Sequence, residues 1–253
     1  MTRLISTLKD MAAFALECER DGLSVGFVPT MGALHEGHIS LIRKARAENA
    51  RVVVSIFVNP IQFCAREDFS EYPRNLDGDM KLCSMEKADI VFAPSIAEMY
   101  PRGFETYIDQ EELPNRMCGL VRPGHFRGVM TVVAKLLNIV RPTVAYFGQK
   151  DYQQCAVVKR MAQDLSMNVQ VSVEPTVRAQ DGLALSSRNQ RLGPRQRRDA
   201  VCLHKSLQLA AELVRAGKTS VSFVVRKMRT LLLAVRGLKI DYIVFANPGT
   251  LVP

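Results

Sequence analysis

"VGFVPTMGALHEGHISLIRKARAE", residues 25–48, is the stretch whose reading decides the fold. A short apolar run, "VGFV", stops at Pro29, and a helical pattern, "ISLIRKARAE", starts at Ile39. Between them stand Gly32, Gly37 and two histidines three residues apart, His35 and His38. Four apolar residues in a row are too few for a helix and match a strand buried on both faces. A strand that passes into a helix through a glycine-bearing turn opens a βαβ unit. The N-terminus of such a helix concentrates unpaired N–H groups and about half a positive charge, so a phosphate can approach it closely. Two imidazoles near the first turn can then donate to phosphate oxygens and stabilise charge developing at phosphorus. A zinc pair is the competing chemistry, but no third ligand stands nearby at metal spacing. For an isolated H-x-x-H, plain capping or packing is the commoner outcome.

Outward from this stretch the chain alternates. Strands are expected at 25–29, 52–58 ("VVVSIFV"), 89–94 ("DIVFAP"), 143–148 ("TVAYFG") and 169–175 ("VQVSVEP"). The N-terminal segment is read as an amphipathic helix, and further helices are expected over 76–88, 125–140 and 151–165. In 125–140, Val129, Val132, Val133, Leu136, Leu137 and Val140 recur at helical spacing. Alternation of this kind predicts an α/β fold: a Rossmann-like parallel sheet with helices on both faces and right-handed crossovers, whose ligands sit beyond the carboxyl ends of the strands. From residue 176 the texture changes to a polar loop, two amphipathic helices ("RQRRDAVCLHKSLQLAAELVRAG" and "VSFVVRKMRTLLLAVRG") and a last expected strand, "KIDYIVFA". Domains are therefore expected over 1–175 and 176–253, the second a smaller α+β unit.

Composition narrows the function classes. The chain has 253 residues, 47% of them hydrophobic, enough for one good core and a second, smaller one. No run of eighteen apolar residues occurs and the N-terminus does not read as a signal peptide, so a cytoplasmic protein with no membrane partner is expected. Six cysteines (18, 64, 83, 118, 155 and 202) lie singly, which predicts reduced, mostly buried thiols in place of a disulfide framework or a metal knuckle. The net charge of +9 is dispersed, aromatic content is 7% and tryptophan is absent. Stacking platforms for nucleic acid are thus scarce, and a polyanionic small molecule or simply a well-solvated basic surface fits the charge.

Seven blocks in order, "PTMGALHEGH", "SIFVNPIQF", "YPRN", "FAPSIAEMYP", "RPGHFRGVMTVVAKLLNIVRP", "FGQKDYQQ" and "DGLALSSRN", resemble the pantothenate synthetase (pantoate–β-alanine ligase) family. The resemblance covers residues 26–192, and "HEGH" matches the H-x-G-H signature of the wider nucleotidylyltransferase superfamily. It implies ATP-dependent condensation of pantoate with β-alanine to pantothenate through a pantoyl adenylate, releasing AMP and pyrophosphate. Magnesium with ATP as co-substrate, no tightly bound cofactor, and a homodimer that binds no nucleic acid are implied as well. The apolar strand at 52–58 together with its flank is one source for the dimer surface.

The resemblance also implies residue roles. His35, His38, Lys150, Ser186, Ser187 and Arg188 would be catalytic, and the last three would close over the β- and γ-phosphates as a lid. ATP would meet Met31, His35, Gly37, His38, Gly148, Lys150, Asp151, Val177, Leu185 and the same Ser-Ser-Arg. Asp151 serves equally well as the N-cap of the following helix. Pantoate would meet Pro29, Met31, Phe57, Asn59, Gln62, Val132, Val133 and Gln154, the amides donating and accepting without added charge. Asp79 is the nearest carboxylate for magnesium, because the family's acidic position aligns with Gly78. Cys118 and Gln149 replace other acidic residues of the family pattern, and the lid domain over 176–253 is shorter than usual. Two rivals stay open: an enzyme of the same superfamily that leaves the nucleotidyl group on its product, and a basic nucleic-acid-binding module that keeps the H-x-G-H turn as a relic.

Overall fold

A computed structural model describes residues 2–63 and 69–253. Two compact units divide the chain, Met1–Thr176 and Val177–Pro253.

The first unit opens with β1 (Arg3–Ile5), α1 (Leu8–Arg20), β2 (Val25–Thr30), α2 (Glu36–Glu48) and β3 (Arg51–Ile56). It continues with α3 (Leu76–Met85), β4 (Ile90–Phe92), α4 (Ile96–Met99), α5 (Cys118–Val121), α6 (His125–Val140), β5 (Val144–Gly148), α7 (Tyr152–Asp164) and β6 (Gln170–Glu174). The six strands form one parallel sheet in the order β1-β4-β3-β2-β5-β6. Because successive side chains leave a strand on opposite faces, the apolar runs feed two cores. Phe27, Val53, Phe92 and Phe147 join α1, α6 and α7 on one face, while Val28, Val52, Val54, Val91 and Tyr146 join α2 and α3 on the other. Helix α6 is buried nearly all round, which explains why its sequence is apolar beyond a single stripe.

Sheet topology sets the place of the site. From β2 the chain winds one way to β3 and β4, then returns to lay β5 on the other side of β2, so the connections after β2 and β5 leave the sheet in opposite directions. The ladder from β2 to β3 runs on to Thr30, whereas the ladder from β2 to β5 stops at Phe27. Pro29, two residues further, has no N–H with which to extend it. A crevice at a switch point of this kind is the usual ligand site of a parallel sheet.

Three sequence expectations change. Residues 3–5 form a strand at the open edge of β4, and helix α1 begins only after Thr7, whose hydroxyl accepts the N–H of Asp10. Strand β3 lies between β4 and β2 with Val52, Val53 and Val54 fully buried, so of the stretch read as a dimer surface only the flank, where Ile56 and Val58 are half-buried, stays open to a partner. Residues 239–246 form no strand: no backbone ladder reaches them among the described residues, and a strand needs a neighbour for its N–H and C=O groups.

The second unit holds α8 (Pro194–Asp199), α9 (Cys202–Arg215) and α10 (Val221–Leu233), the first two dividing the stretch read as one helix. Its small core gathers Ala210, Val224 and Met228. Of the cysteines, 18, 83, 118, 155 and 202 are free, and all but Cys118 are buried. Cys64 lies outside the described residues.

Candidate active site

Residues 30–35 carry the chain from β2 into α2 through a turn in which each backbone N–H from Gly32 to His35 is held by a side chain. Thr30 donates its hydroxyl to the carbonyl of Ser55 on β3 (2.7 Å) and accepts the N–H of Gly32 (3.1 Å). Gly32 and Ala33 both lie at positive φ, +80° and +50°. Asp79, buried on α3, accepts the N–H of Ala33 on one carboxylate oxygen (2.9 Å) and that of Leu34 on the other (2.8 Å).

His35 is the N-cap of α2, and its Nδ1 accepts the N–H of Gly37 (3.1 Å). The Nδ1 of His38 accepts the N–H of His35 (3.3 Å), and the two rings stack with centroids 4.1 Å apart. A ring nitrogen that accepts carries no proton, so both imidazoles hold theirs on Nε2, and neither Nε2 finds a partner among the described residues. Burial lowers the pKa of both; for His38, helped by His35 and Lys150, it falls to about 3. At neutral pH the turn therefore presents two uncharged N–H donors beside a helix N-terminus. Capping and ligand chemistry are thus not alternatives here, because Nδ1 caps while Nε2 stays outward.

Lys150 follows β5, across the switch point, and its charge reaches both rings and lowers their pKa. It pairs with Asp151 at 2.9 Å. Asp151 stands at the N-cap position of α7 but makes no side-chain cap bond, so its carboxylate belongs to the lysine. At Gly148 an added Cβ would meet nothing within 4 Å, so no protein packing requires the glycine there.

A second cluster surrounds Gln62, reached from the turn through Met31, whose sulfur accepts from Gln62 Nε2 (3.1 Å). Asn59, 1% exposed, donates from Nδ2 to Gln62 Oε1 (2.9 Å) and to the carbonyl of Gly128 (3.1 Å), and accepts from Tyr100 on Oδ1 (2.7 Å). A backbone carbonyl only accepts, so Gly128 fixes which end of Asn59 is the donor. Asn59 in turn fixes which end of Gln62 is Oε1, and Nε2 gives one N–H to Met31 and keeps a second unspent among the described residues. Both Nδ2 protons of Asn59 are thereby spent, and its Oδ1 keeps one lone pair, so the residue orients Gln62. His125 donates from Nδ1 to the Gln62 carbonyl (2.8 Å) and meets Arg122 at Nε2 (3.2 Å). Helix α6 comes so close that a Cβ on Gly128 would lie 2.3 Å from the Ile61 carbonyl oxygen. Phe57, Val132 and Val133 are buried in the same core cluster, and Pro29 is half-buried in β2.

The two glutamines of "DYQQ" divide. Gln153 is buried and spent on the carbonyls of Leu113 and Arg116 and the N–H of Cys118. Gln154 is half-buried, and its amide is not spent in this way. In the second unit, Leu185 donates its N–H to the Val177 carbonyl (3.0 Å), which brings those two residues together. Ser186 caps a short 3-10 turn by accepting the N–H of Arg188 (3.3 Å), and Ser187 is buried within it. Tyr100, His125, Gln153 and the clamp made by Asp79 escape a reading of motifs, because each acts through a partner about 35 to 65 positions away.

No group of three or more His, Cys, Asp or Glu side chains fit to hold a metal gathers among the described residues. Both oxygens of Asp79 are taken by the turn, so the donor set does not form a magnesium cage.

A parallel sheet whose switch point carries an H-x-G-H helix start, a facing lysine and an amide pocket defines an ATP-using group-transfer enzyme. The sequence profile of the family described as pantoate-beta-alanine ligase matches residues 3–253, and the chain belongs to that family. It is 50% identical over 250 residues to the pantothenate synthetase of Moorella thermoacetica, covering 99% of this chain and 88% of that one. Against the Fervidobacterium nodosum pantothenate synthetase it is 51% identical, with coverage of 99% and 89%. The crystal structure of pantothenate synthetase from Thermus thermophilus superposes with a TM-score of 0.93 at 46% identity, over 99% of this chain and 89% of the other. The pantoate-beta-alanine ligase of Francisella tularensis, solved with beta-gamma ATP and β-alanine, superposes with a TM-score of 0.83 at 36% identity, over 98% and 90%. The activity is ATP-dependent ligation of pantoate to β-alanine. No helix among the described residues is long and apolar enough to cross a membrane.

Proposed function

We propose that ligation runs through a pantoyl adenylate formed at the turn between β2 and α2. A pantoate carboxylate oxygen bonds to the α-phosphorus of ATP, and the bond from that phosphorus to the bridging oxygen breaks, releasing pyrophosphate. The amine of β-alanine then attacks the acyl carbon, the acyl–oxygen bond breaks, and AMP leaves with the electron pair. Both steps call for positioning and charge stabilisation more than for a covalent nucleophile on the protein.

The observation that carries this reading is the outward Nε2–H pair of His35 and His38 beside Lys150 at the switch point. Neutral donors contribute directed hydrogen bonds, and the lysine contributes the charge. Gly37, Gly148, Met31 and Asp151 complete the ATP site in the first unit. Val177, Leu185, Ser186, Ser187 and Arg188 supply it from the second, which acts as the lid domain to the ATP- and pantoate-binding first. Gln62, through the second N–H of Nε2, and Gln154 hold the pantoate oxygens. Met31, Pro29, Phe57, Val132 and Val133 wall its methyl groups. Magnesium arrives on the ATP phosphates, since the described residues offer no cage for it. The protein works as a cytoplasmic homodimer, and light scattering at the monomer mass would overturn the dimer.

The test is release of pyrophosphate and AMP from Mg-ATP with pantoate, with β-alanine and with both, on wild type and His38→Ala. Steady AMP release that needs both substrates and falls by about a hundredfold or more in the variant is expected, because a set of oriented donors to the transition state is lost. Pyrophosphate release without pantoate would break the proposed order.

A further inference from the structure

We propose that Asp79 is a positioning residue of the histidine turn: from α3 it grips the backbone of Ala33 and Leu34 and so sets the angle at which His35 and His38 face the crevice. The proposal rests on the reading of that histidine pair as the phosphate site. Gly32 and Ala33 both take positive φ, which turns the N–H groups of Ala33 and Leu34 towards one point and makes a small concavity that fits an anion. The carboxylate of Asp79 fills it, one oxygen to each N–H at 2.9 and 2.8 Å.

A positive φ at alanine is unfavourable and persists only where the surroundings hold it. Asp79 does that holding. The residue is 3% exposed and lies in the first turn of α3, with its own N–H bonded to Asn75, so the helix dipole favours its charge. Burial raises its pKa, the two N–H groups lower it, and no basic side chain is among its perturbers. Its charge is thus compensated by backbone, and among the described residues no basic side chain bonds it. The fit leaves no slack, since a Cβ on Gly32 would stand 2.9 Å from Asp79 Oδ2 and 3.0 Å from Ile56 Cγ2. One residue after Leu34 comes His35, the N-cap whose N–H holds His38. The clamp therefore reaches both rings through backbone alone. A carboxylate used this way is not a magnesium ligand, although it falls next to the position where the family pattern would put one.

The experiment compares wild type with Asp79→Asn in the full chain. The asparagine keeps one acceptor and sets an N–H against the other N–H. Amide exchange at Ala33 and Leu34 is expected to rise about tenfold to a hundredfold, with altered ring nitrogen signals of His35 and His38. kcat/KM for ATP is expected to fall by a similar factor, while the magnesium concentration giving half-maximal activity stays unchanged. Unaltered exchange at both amides overturns the clamp, as does a severalfold rise in the magnesium requirement without a change in exchange. Should the variant not fold, wild type alone decides. Ala33 and Leu34 lie outside any helix or strand, yet their amides must exchange as slowly as those of β2, and exchange at the rate of an open turn overturns the proposal. The exchange measurement needs no substrate, so its failure is distinct from the absence of pantoate-dependent pyrophosphate release.

Discussion

In the histidine turn the backbone donates and side chains accept: Thr30, Asp79, His35 and His38 take the N–H groups of Gly32, Ala33, Leu34, Gly37 and His35. Around Gln62 the backbone accepts and side chains donate, with Asn59 and His125 taking the carbonyls of Gly128 and Gln62. Both arrangements end with side-chain N–H groups left unspent among the described residues. In the first they come from rings whose burial keeps them neutral, and in the second from an amide whose polarity is forced by a fixed carbonyl. A polyanion and a small hydroxy acid both present oxygen acceptors, so donors of this kind serve both. The turn adds the charge of Lys150 and a helix N-terminus, which the amide pocket does not need.

Gly128→Ala breaks the pocket and spares the turn. Its Cβ would lie 2.3 Å from the Ile61 oxygen and 2.6 Å from Gln62 Cα, so backbone must move. A loss of about 2–3 kcal/mol of stability is expected from such overpacking, read as a lower urea midpoint, together with a raised KM for pantoate. An unchanged midpoint would mean that α6 does not set the position of Gln62.

Asn59→Asp sharpens the comparison by replacing an amide donor with a carboxyl group, which also brings an ionisable charge into a buried site. An ionised aspartate donates to neither the Gly128 carbonyl nor Gln62 Oε1, and a protonated one donates a single bond, so at least one of the two acceptors is left unpaired. A drop of about tenfold to a hundredfold in kcat/KM for pantoate, with KM for ATP unchanged, is expected from the mispaired polar groups. Equal losses for both substrates would show that the two regions are not separately held.

A further prediction concerns pH and belongs to the turn. His38, held at about 3 against an unfolded value of 6.5, binds fewer protons folded than unfolded. Its contribution to stability is therefore complete above pH 6.5 and is lost as pH falls towards about 3. His38→Asn should flatten that part of the stability profile. In wild type the ring nitrogen signals of His38 should not titrate between about pH 8 and pH 5; a midpoint at the ordinary histidine value would contradict the buried, stacked arrangement.

Much of the architecture is legible in local pattern. Apolar runs on β2 to β6, the helical spacing of Val129, Val132, Val133 and Val140, and the placement of "HEGH" at a strand-to-helix turn all follow from it, because chain periodicity is a property of neighbours. The three residues of β1 are hidden inside the amphipathic pattern that precedes α1, since only the open edge of β4 makes them a strand. Residues 239–246 mislead in the opposite direction, for their β-branched alternation promises a strand that no neighbouring ladder completes among the described residues.

By itself the sequence determined the layering of the sheet, the turn that bears His35 and His38, and the chemistry those residue types permit. Tertiary structure alone decided which of those groups are free to act. It set Asn59 and Gln153 to hold other residues, left Gln62 Nε2 one N–H beyond the one given to Met31, and gave Asp79 to the backbone of Ala33 and Leu34. The reason is that a polar atom's availability depends on whether a partner lies within about 3 Å, and those partners come from segments brought together only by the fold.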